Sequence, residues 1–238
     1  MREMTFKEAI TETMIQEMRR DPKVIIMGED VGDFGGLTGT TIGIIDEFDD
    51  QRVLETPISE CGFVGAAVGA ALAGYRPVLE LGLADVSFVA MDQIVNTAAK
   101  MNYFNDGAAT VSLVIRVWSG FRRSGGPQQS QSNEAMFNHV PGLKVVMPST
   151  PYDVKGLLTA SIRDNNPIIF FEPKASYPRR GEVPEDEYVI PIGEADVKRE
   201  GTDVTIIALG AMVHLALEAA EKLARDGVSA EVVDPRTI

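Results

Sequence analysis

Cysteine is almost missing from this chain: Cys61 is the one example in 238 residues. An internal disulfide is therefore excluded, and a thiolate metal site has no ligands to build on. Histidine is nearly as scarce, and His139 and His214 lie too far apart for metal-ligand spacing. Positive charge is in deficit too, with Lys+Arg 22 against Asp+Glu 35 and a net charge of −13. Nucleic-acid affinity rests mostly on clustered lysine and arginine, so a nucleic-acid partner is not expected. No apolar run reaches bilayer length; the longest, 61–75, is interrupted by glycine. The opening MREMTFKEAI is charged and turns amphipathic at once, so no secretory leader is expected there and a reducing cytoplasm suits the cysteine usage.

Several local catalytic fingerprints are also missing. Gly35-Gly36-Leu37-Thr38-Gly39 lacks the spacing of a dinucleotide or phosphate loop, and no G-x-S-x-G elbow occurs. What remains is a 45% hydrophobic, 24% charged chain, long enough for one large core and part of another. Thr5-Phe-Lys-Glu8 is a capping box opening a helix with Phe6, Ile10, Met14 and Met18 on one face. Strand patterns fall at 23–27, 77–81, 111–117, 144–147 and 167–172, with helical patterns at 44–48, 88–101 and from Pro151 to the Asn165-Asn166-Pro167 stop. Alternation of this kind predicts an α/β fold with a mainly parallel sheet flanked by helices. The proline-, arginine- and acid-rich stretch after Glu172 reads as a linker, followed by a strand at 203–208, a helix at 211–226 and a strand at 230–234. The expected division is a first domain over 1–176, a linker over 177–195 and the opening of a second α/β domain over 196–238. One βαβ unit cannot cover both faces of a sheet, so that second domain is expected to be incomplete or to need a complement.

Two short stretches invite a chemical reading. Thr56-Pro-Ile-Ser-Glu60 precedes CGFVGAAVGAALAG, a helix whose surface is nearly bare. A carboxylate at the mouth of an apolar helix needs a partner, and either the helix's own first N–H groups or a ligand would serve. In Gly126-Pro-Gln-Gln-Ser-Gln-Ser132 the amides donate and accept hydrogen bonds but do not titrate near neutral pH, which suits a solvated loop or a polar pocket wall. Asp30, Asp85, Asp92 and Glu134 are scattered acids that read as caps or surface charges, and Arg122-Arg123 is either an anion grip or a solvated pair.

A longer series of motifs gives these fragments a context. MGEDVG (27–32), TPISE (56–60), MDQIVNTAAK (91–100), SQS (130–132), HVPGLKVV (139–146), KGLL (155–158), IRDNNP (162–167), REGTDVTI (199–206) and VVDPRTI (232–238) occur in that order. Together they resemble the β subunit of the thiamine-diphosphate-dependent component of 2-oxo acid dehydrogenases of the pyruvate, acetoin and branched-chain type. The resemblance implies a transketolase-type pyrimidine-binding domain followed by the start of a transketolase-type C-terminal domain. It implies that Glu60 hydrogen-bonds the ring nitrogen of the cofactor's aminopyrimidine, with further cofactor contacts from Glu29, Ile58, Gly82, Val86 and Val89. It also implies a potassium ion held by Leu113, Ser161, Ile162, Asp164 and Asn166, mostly through backbone oxygens. The diphosphate and magnesium motif of the family belongs to its α subunit and has no counterpart here. An α subunit, a second β subunit and the lipoyl acyltransferase core are therefore the implied partners, in a heterotetrameric oxidoreductase.

Two departures from the family pattern stand out. Gln129 occupies the place of a histidine thought to move protons or meet the lipoyl group, and an amide cannot act as acid or base. Val86 replaces an aromatic ring that packs on the aminopyrimidine, so stacking surface is lost unless Phe88 supplies it. The implied function is an active β subunit with altered substrate or acceptor handling; the alternative is a catalytically weakened paralogue kept as a structural or regulatory subunit.

Overall fold

The structure, a computed structural model, describes residues 1–121 and 125–238. The Arg122-Arg123 pair lies outside the described residues. Strand β1 (Arg2–Thr5) leads into α1 (Phe6–Arg20). Thr5 Oγ1 accepts the Glu8 N–H at 3.1 Å while the Glu8 carboxylate accepts the Thr5 N–H at 2.6 Å. This reciprocal box satisfies two otherwise orphaned donors and starts the helix where the sequence predicts. Next come β2 (Val24–Gly28), α2 (Ile44–Phe48), β3 (Val53–Glu55), α3 (Glu60–Leu72) and β4 (Arg76–Leu83). The chain continues through α4 (Met101–Phe104), β5 (Val114–Ser119), α5 (Glu134–Asn138), β6 (Lys144–Val146), α6 (Pro151–Arg163) and β7 (Ile168–Pro173). It closes with β8 (Arg180–Val183), β9 (Asp196–Arg199), β10 (Val204–Ile207), α7 (Met212–Arg225) and β11 (Ala230–Asp234).

Six strands form one parallel sheet in the order β3-β2-β4-β5-β7-β6. Parallel strands are covered on both faces, which is why they read as nearly continuous apolar runs. One face buries Val24, Ile26, Val78, Val114, Ile168 and Phe170 with residues of α1 and α6. The other buries Ile25, Met27, Leu79, Ile115, Ile169 and Phe171 with α3. The α/β fold expected from the alternation is the fold observed.

The single helix expected at 88–101 is instead broken into a 3₁₀ segment (Ala84–Ala90), a π segment (Asp92–Ala98) and α4. In the widened stretch the Ala99 N–H reaches the Ile94 carbonyl, five residues back, at 3.0 Å. Gly142 then packs so close that a Cβ there would lie 2.0 Å from the Ala99 carbonyl. Tertiary packing decides the local winding in this segment, not periodicity.

The 177–195 stretch, expected as a linker, is packed. β8 pairs antiparallel with β1, and Tyr188 and Ile190 close over Gly156 of α6, where an added Cβ would lie 2.5 Å from Ile190. Beyond it, β10-β11-β9 form a small sheet with α7 on one face, Ala216 and Ala220 packing on Ala230 and Val232. The edge strand β10 leaves Ile207 72% exposed.

A buried ionic knot joins the two units. The Asp153 carboxylate, at the start of α6, accepts Lys198 Nζ at 2.7 Å and Arg236 Nε at 2.9 Å. Ser149 donates its hydroxyl to Asp234 at 2.6 Å, and the Met147 N–H bonds the Arg236 carbonyl at 2.9 Å. Burial alone would raise the Asp153 carboxyl, yet Lys198, Thr150 and Arg236 hold it below its ordinary value. A carboxyl held low stabilises the fold above its unfolded value of 3.8 and loses that contribution as pH falls through the folded value. Asp153→Asn should therefore cost about 2 kcal/mol in urea unfolding at pH 7, by leaving Lys198 and Arg236 with Asp196 as their remaining close carboxylate. The deficit should shrink below pH 3.8; an equal deficit at all pH values would mean that packing, not charge, is lost.

Candidate functional site

In an open parallel sheet, the crevice beyond the carboxyl ends of the strands is where ligands gather. Here that edge holds Glu29 just after β2, Gly82 near the end of β4, and Glu60 at the first turn of α3. A β-bulge shapes the crevice: β4 pairs Glu80 with Arg116 but Gly82 with Val117, so Leu81 is the extra residue. Gly82 has φ +82°, a backbone turn that disfavours other residues, and it leaves the neighbouring floor bare.

The resulting cleft, of about 210 Å³, is lined by Glu29, Asp30, Leu37, Glu60, Glu80, Leu81, Gly82, Leu83 and Val86. Of the implied cofactor contacts, it brings together Glu29, Glu60, Gly82 and Val86. Ile58, 82% exposed, and Val89, 57% exposed, stand outside it on open surface. Phe88 is not in the lining, so nothing aromatic replaces the ring missing at Val86.

The carboxylate of Glu60 is half-buried and accepts no side-chain or backbone hydrogen bond among the described residues. Self-satisfaction by the first turn of α3 is thus not how this acid is accommodated. Glu29 is pushed above the usual carboxylate value, first by burial and then by the negative charges of Glu60 and Asp30. An acid whose proton affinity is raised by burial and by neighbouring negative charge marks the cleft as a place where a proton can be held.

Gln129 does not line the cleft. It lies exposed on a 3₁₀ turn (Pro127–Gln129), its carbonyl accepting Lys174 Nζ. The glutamine-rich loop is nonetheless tied to the Val86 segment. Gln131 Nε2 donates to Asp85 at 2.8 Å and Asn133 Nδ2 to the Ala84 carbonyl at 2.9 Å. The loop is thus braced from below, and none of its residues lines the cleft.

Leu113, Ser161, Ile162, Asp164 and Asn166 come together at the opposite, amino-terminal edge of the sheet. Arg76 Nη1 already donates to the Ile162 and Asp164 carbonyls at 3.0 and 2.9 Å, and the Leu113 carbonyl accepts the Ile168 N–H at 2.8 Å. Asn166 Nδ2 donates to Asp164 at 2.8 Å. A cation entering this group would have to share oxygens with a guanidinium.

Sequence reasoning passed over Glu80, Arg116 and Glu172, all fully buried. Each is a single charge interrupting an apolar strand, VLELGL, VIRVW and FFEPK, and that interruption was the available signal.

The transketolase pyrimidine-binding domain model matches residues 2–180, and the transketolase C-terminal domain model matches residues 193–238. The chain is 48% identical over 236 residues to the 2-oxoisovalerate dehydrogenase β subunit of Bacillus subtilis, covering 99% of this chain and 72% of that one. It is 50% identical to the β subunit of the acetoin:2,6-dichlorophenolindophenol oxidoreductase of Cupriavidus necator, covering 100% and 73%. Identity to the pyruvate dehydrogenase E1 β subunit of B. subtilis is 46%, covering 100% and 74%. A solved split-gene transketolase, described as an inactive β4 tetramer, superposes with a TM-score of 0.79 at 22% identity, over 97% of this chain and 71% of that one; it shows the shared fold.

The carboxyl pair is open to a direct test. Glu60→Gln deletes one of the charges acting on Glu29, so the Glu29 carboxyl should titrate lower, nearer 4.5, in a carbon-detected NMR titration. An unmoved Glu29 would show that the two acids do not sense each other.

Proposed function

The chain belongs to the β-subunit family of 2-oxo acid and acetoin dehydrogenases, built on a transketolase pyrimidine-binding domain, and on that footing we propose that it supplies the aminopyrimidine half of a thiamine-diphosphate site. The observation that carries this reading is Glu60: a half-buried, partnerless carboxylate in a cleft with Glu29, Gly82 and Val86. The donor set fits the group. Leu37, Leu83 and Val86 offer apolar walls to a flat heterocycle, while Glu60 offers a carboxylate to a ring nitrogen. Bare Gly82 removes the side chain that would otherwise stand against the ring.

When bound, the cofactor supplies the electron sink for decarboxylation of a 2-oxo acid or cleavage of acetoin. The protein's part is positioning and proton handling. Glu60 would meet the ring nitrogen and could hold a proton there, and Glu29, its carboxyl raised by burial and by the charge of Glu60, would be the second acid beside it. Val86 holds the ring by apolar contact. Ile58 and Val89, exposed in this chain alone, complete the contact set when the α subunit closes the open side. The α subunit holds the diphosphate and its magnesium, the bare outer face of α3 suits a close subunit contact, and a second β subunit completes the heterotetramer. The lipoyl group of the acyltransferase core is the acceptor, met at the rim where Gln129 stands.

Potassium at Leu113, Ser161, Ile162, Asp164 and Asn166 is a further part of the proposal. Each carbonyl has two lone pairs, so an ion would share Ile162 and Asp164 with Arg76. Among the described residues no helix is long and apolar enough to cross a membrane, and we place the enzyme in the cytoplasm. A second reading rests on Val86 and Gln129: without the ring and the titratable side chain, the chain would serve as a structural or regulatory β subunit.

Co-expression with an α subunit of the family separates the readings. The active-enzyme reading requires thiamine-diphosphate-dependent decarboxylation of a 2-oxo acid, or cleavage of acetoin, abolished in Glu60→Gln with the fold retained. A complex that binds the cofactor without turnover supports the structural reading. Gln129→His should raise lipoyl-dependent turnover if proton transfer is the deficit, roughly tenfold or more on the scale of general acid–base catalysis. No gain would assign the loop a different task.

A further inference from the structure

Behind the cleft, the sheet buries three charges that the proposed chemistry does not use. Arg116, from β5, is 1% exposed. It donates to Glu172 of β7 through Nε at 2.6 Å and Nη2 at 3.2 Å, and to Glu80 of β4 through Nη1 at 3.2 Å. Glu172 is the better-served carboxylate, since Tyr177 also donates its hydroxyl to it. Glu80 receives one arginine nitrogen and the Thr40 hydroxyl at 3.1 Å, with the Thr38 backbone N–H nearby. Its contacted oxygen is Oε2 in both side-chain bonds. Oε1 is buried with no partner.

The loop between β2 and α2 is folded directly onto that free oxygen. Gly36 has φ +75°, and a Cβ on it would lie 2.4 Å from Glu80 Oε1. Thr40 links the two: it accepts Arg116 Nη2 at 2.9 Å and donates to Glu80. The same loop contributes Asp30 and Leu37 to the cleft. With both acids ionised the cluster would carry a net charge of −1 in a fully buried site, with one carboxylate oxygen facing no donor. That is a costly arrangement, and a single retained proton removes its net charge.

We propose that Glu80 is a positioning residue of the cleft: a neutral carboxylic acid that clamps the glycine-rich loop to the sheet, its proton on Oε1 and its Oε2 accepting from Arg116 and Thr40. The groups facing it are Arg116, Glu172, Tyr177, Thr40, Thr38 and, through Arg116, the Met14 sulfur of α1. Burial raises the Glu80 carboxyl, Arg116 opposes this, and Glu172 adds to it. The proposal deepens the thiamine-diphosphate reading, on which it rests only for the identity of what the cleft holds.

Glu80→Gln is the discriminating variant, because an amide reproduces a neutral acid in shape, with oxygen at Oε2 and NH₂ at Oε1. A carboxyl raised in the folded state contributes less stability as pH climbs from its unfolded value towards its folded one. The melting temperature of Glu80→Gln minus that of wild type should therefore rise between pH 5 and pH 8, in the full chain with and without its α partner. Amide exchange of residues 30–41, corrected for intrinsic rates, should become less protected with pH in wild type and stay constant in the variant. A flat or falling melting difference, or loss of loop protection in Glu80→Gln at pH 5, would overturn the proposal. Gly36→Ala should release the loop at every pH. These readouts need no cofactor, so a complex that never binds thiamine diphosphate would sink the functional reading and leave this one standing.

Discussion

A guanidinium with no access to water holds the middle of this protein together. Burying an ion costs several kcal/mol unless its partners are close and numerous. Arg116 meets that condition by reaching two acidic side chains, a hydroxyl and a sulfur from four parts of the chain. Burial alone would lower its proton affinity, but the charge of Glu172, foremost among its partners, opposes this and the cation stays charged. The geometry follows from parallel register: Glu80 lies directly beside Arg116, and Glu172 beside Trp118, two residues further along the same face. Everything at the carboxyl edge of the sheet is referred to that point. The glycine-rich loop hangs from Thr40 and Glu80, and the bulge at Leu81 begins one residue after Glu80.

This arrangement separates the part that must be rigid from the part that must receive a ligand. The charge cluster lies on the α1 and α6 side of the sheet and reaches the cleft through Glu80, while Glu60 enters from α3 on the other side. Glu60 makes no hydrogen bond to that network among the described residues and keeps its carboxylate free. The same logic applies to Gln129: its loop is braced through Gln131 to Asp85 and through its own carbonyl to Lys174, which leaves the amide side chain unconstrained.

Much of the fold was legible because its signals are local. The capping box at Thr5 and Glu8, five of the six strands of the large sheet (all but the short β3) and the proline-opened helix at Pro151 each follow from residues within a few positions. The 88–101 segment was not, since its winding depends on Gly142, more than forty residues away. Nor was the packing of 177–195: proline, arginine and acid suggest a free linker, whereas Gly156 opens a slot that Tyr188 and Ile190 fill. The site was half legible. TPISE singled out Glu60, and its neighbours Glu29, Gly82 and Val86 came with the motif series. Ile58 and Val89 lie on open surface outside the cleft.

The order of residues alone thus determined the alternation of strand and helix, the family to which those motifs point, and which acid stands at the head of α3. Tertiary structure decided what that acid touches, which of two buried carboxylates Arg116 serves better, and where a single proton is best held. The reason is dielectric as much as geometric. A charge's partners and proton affinity depend on what surrounds it after folding, and in a parallel sheet those neighbours arrive from strands far apart in sequence.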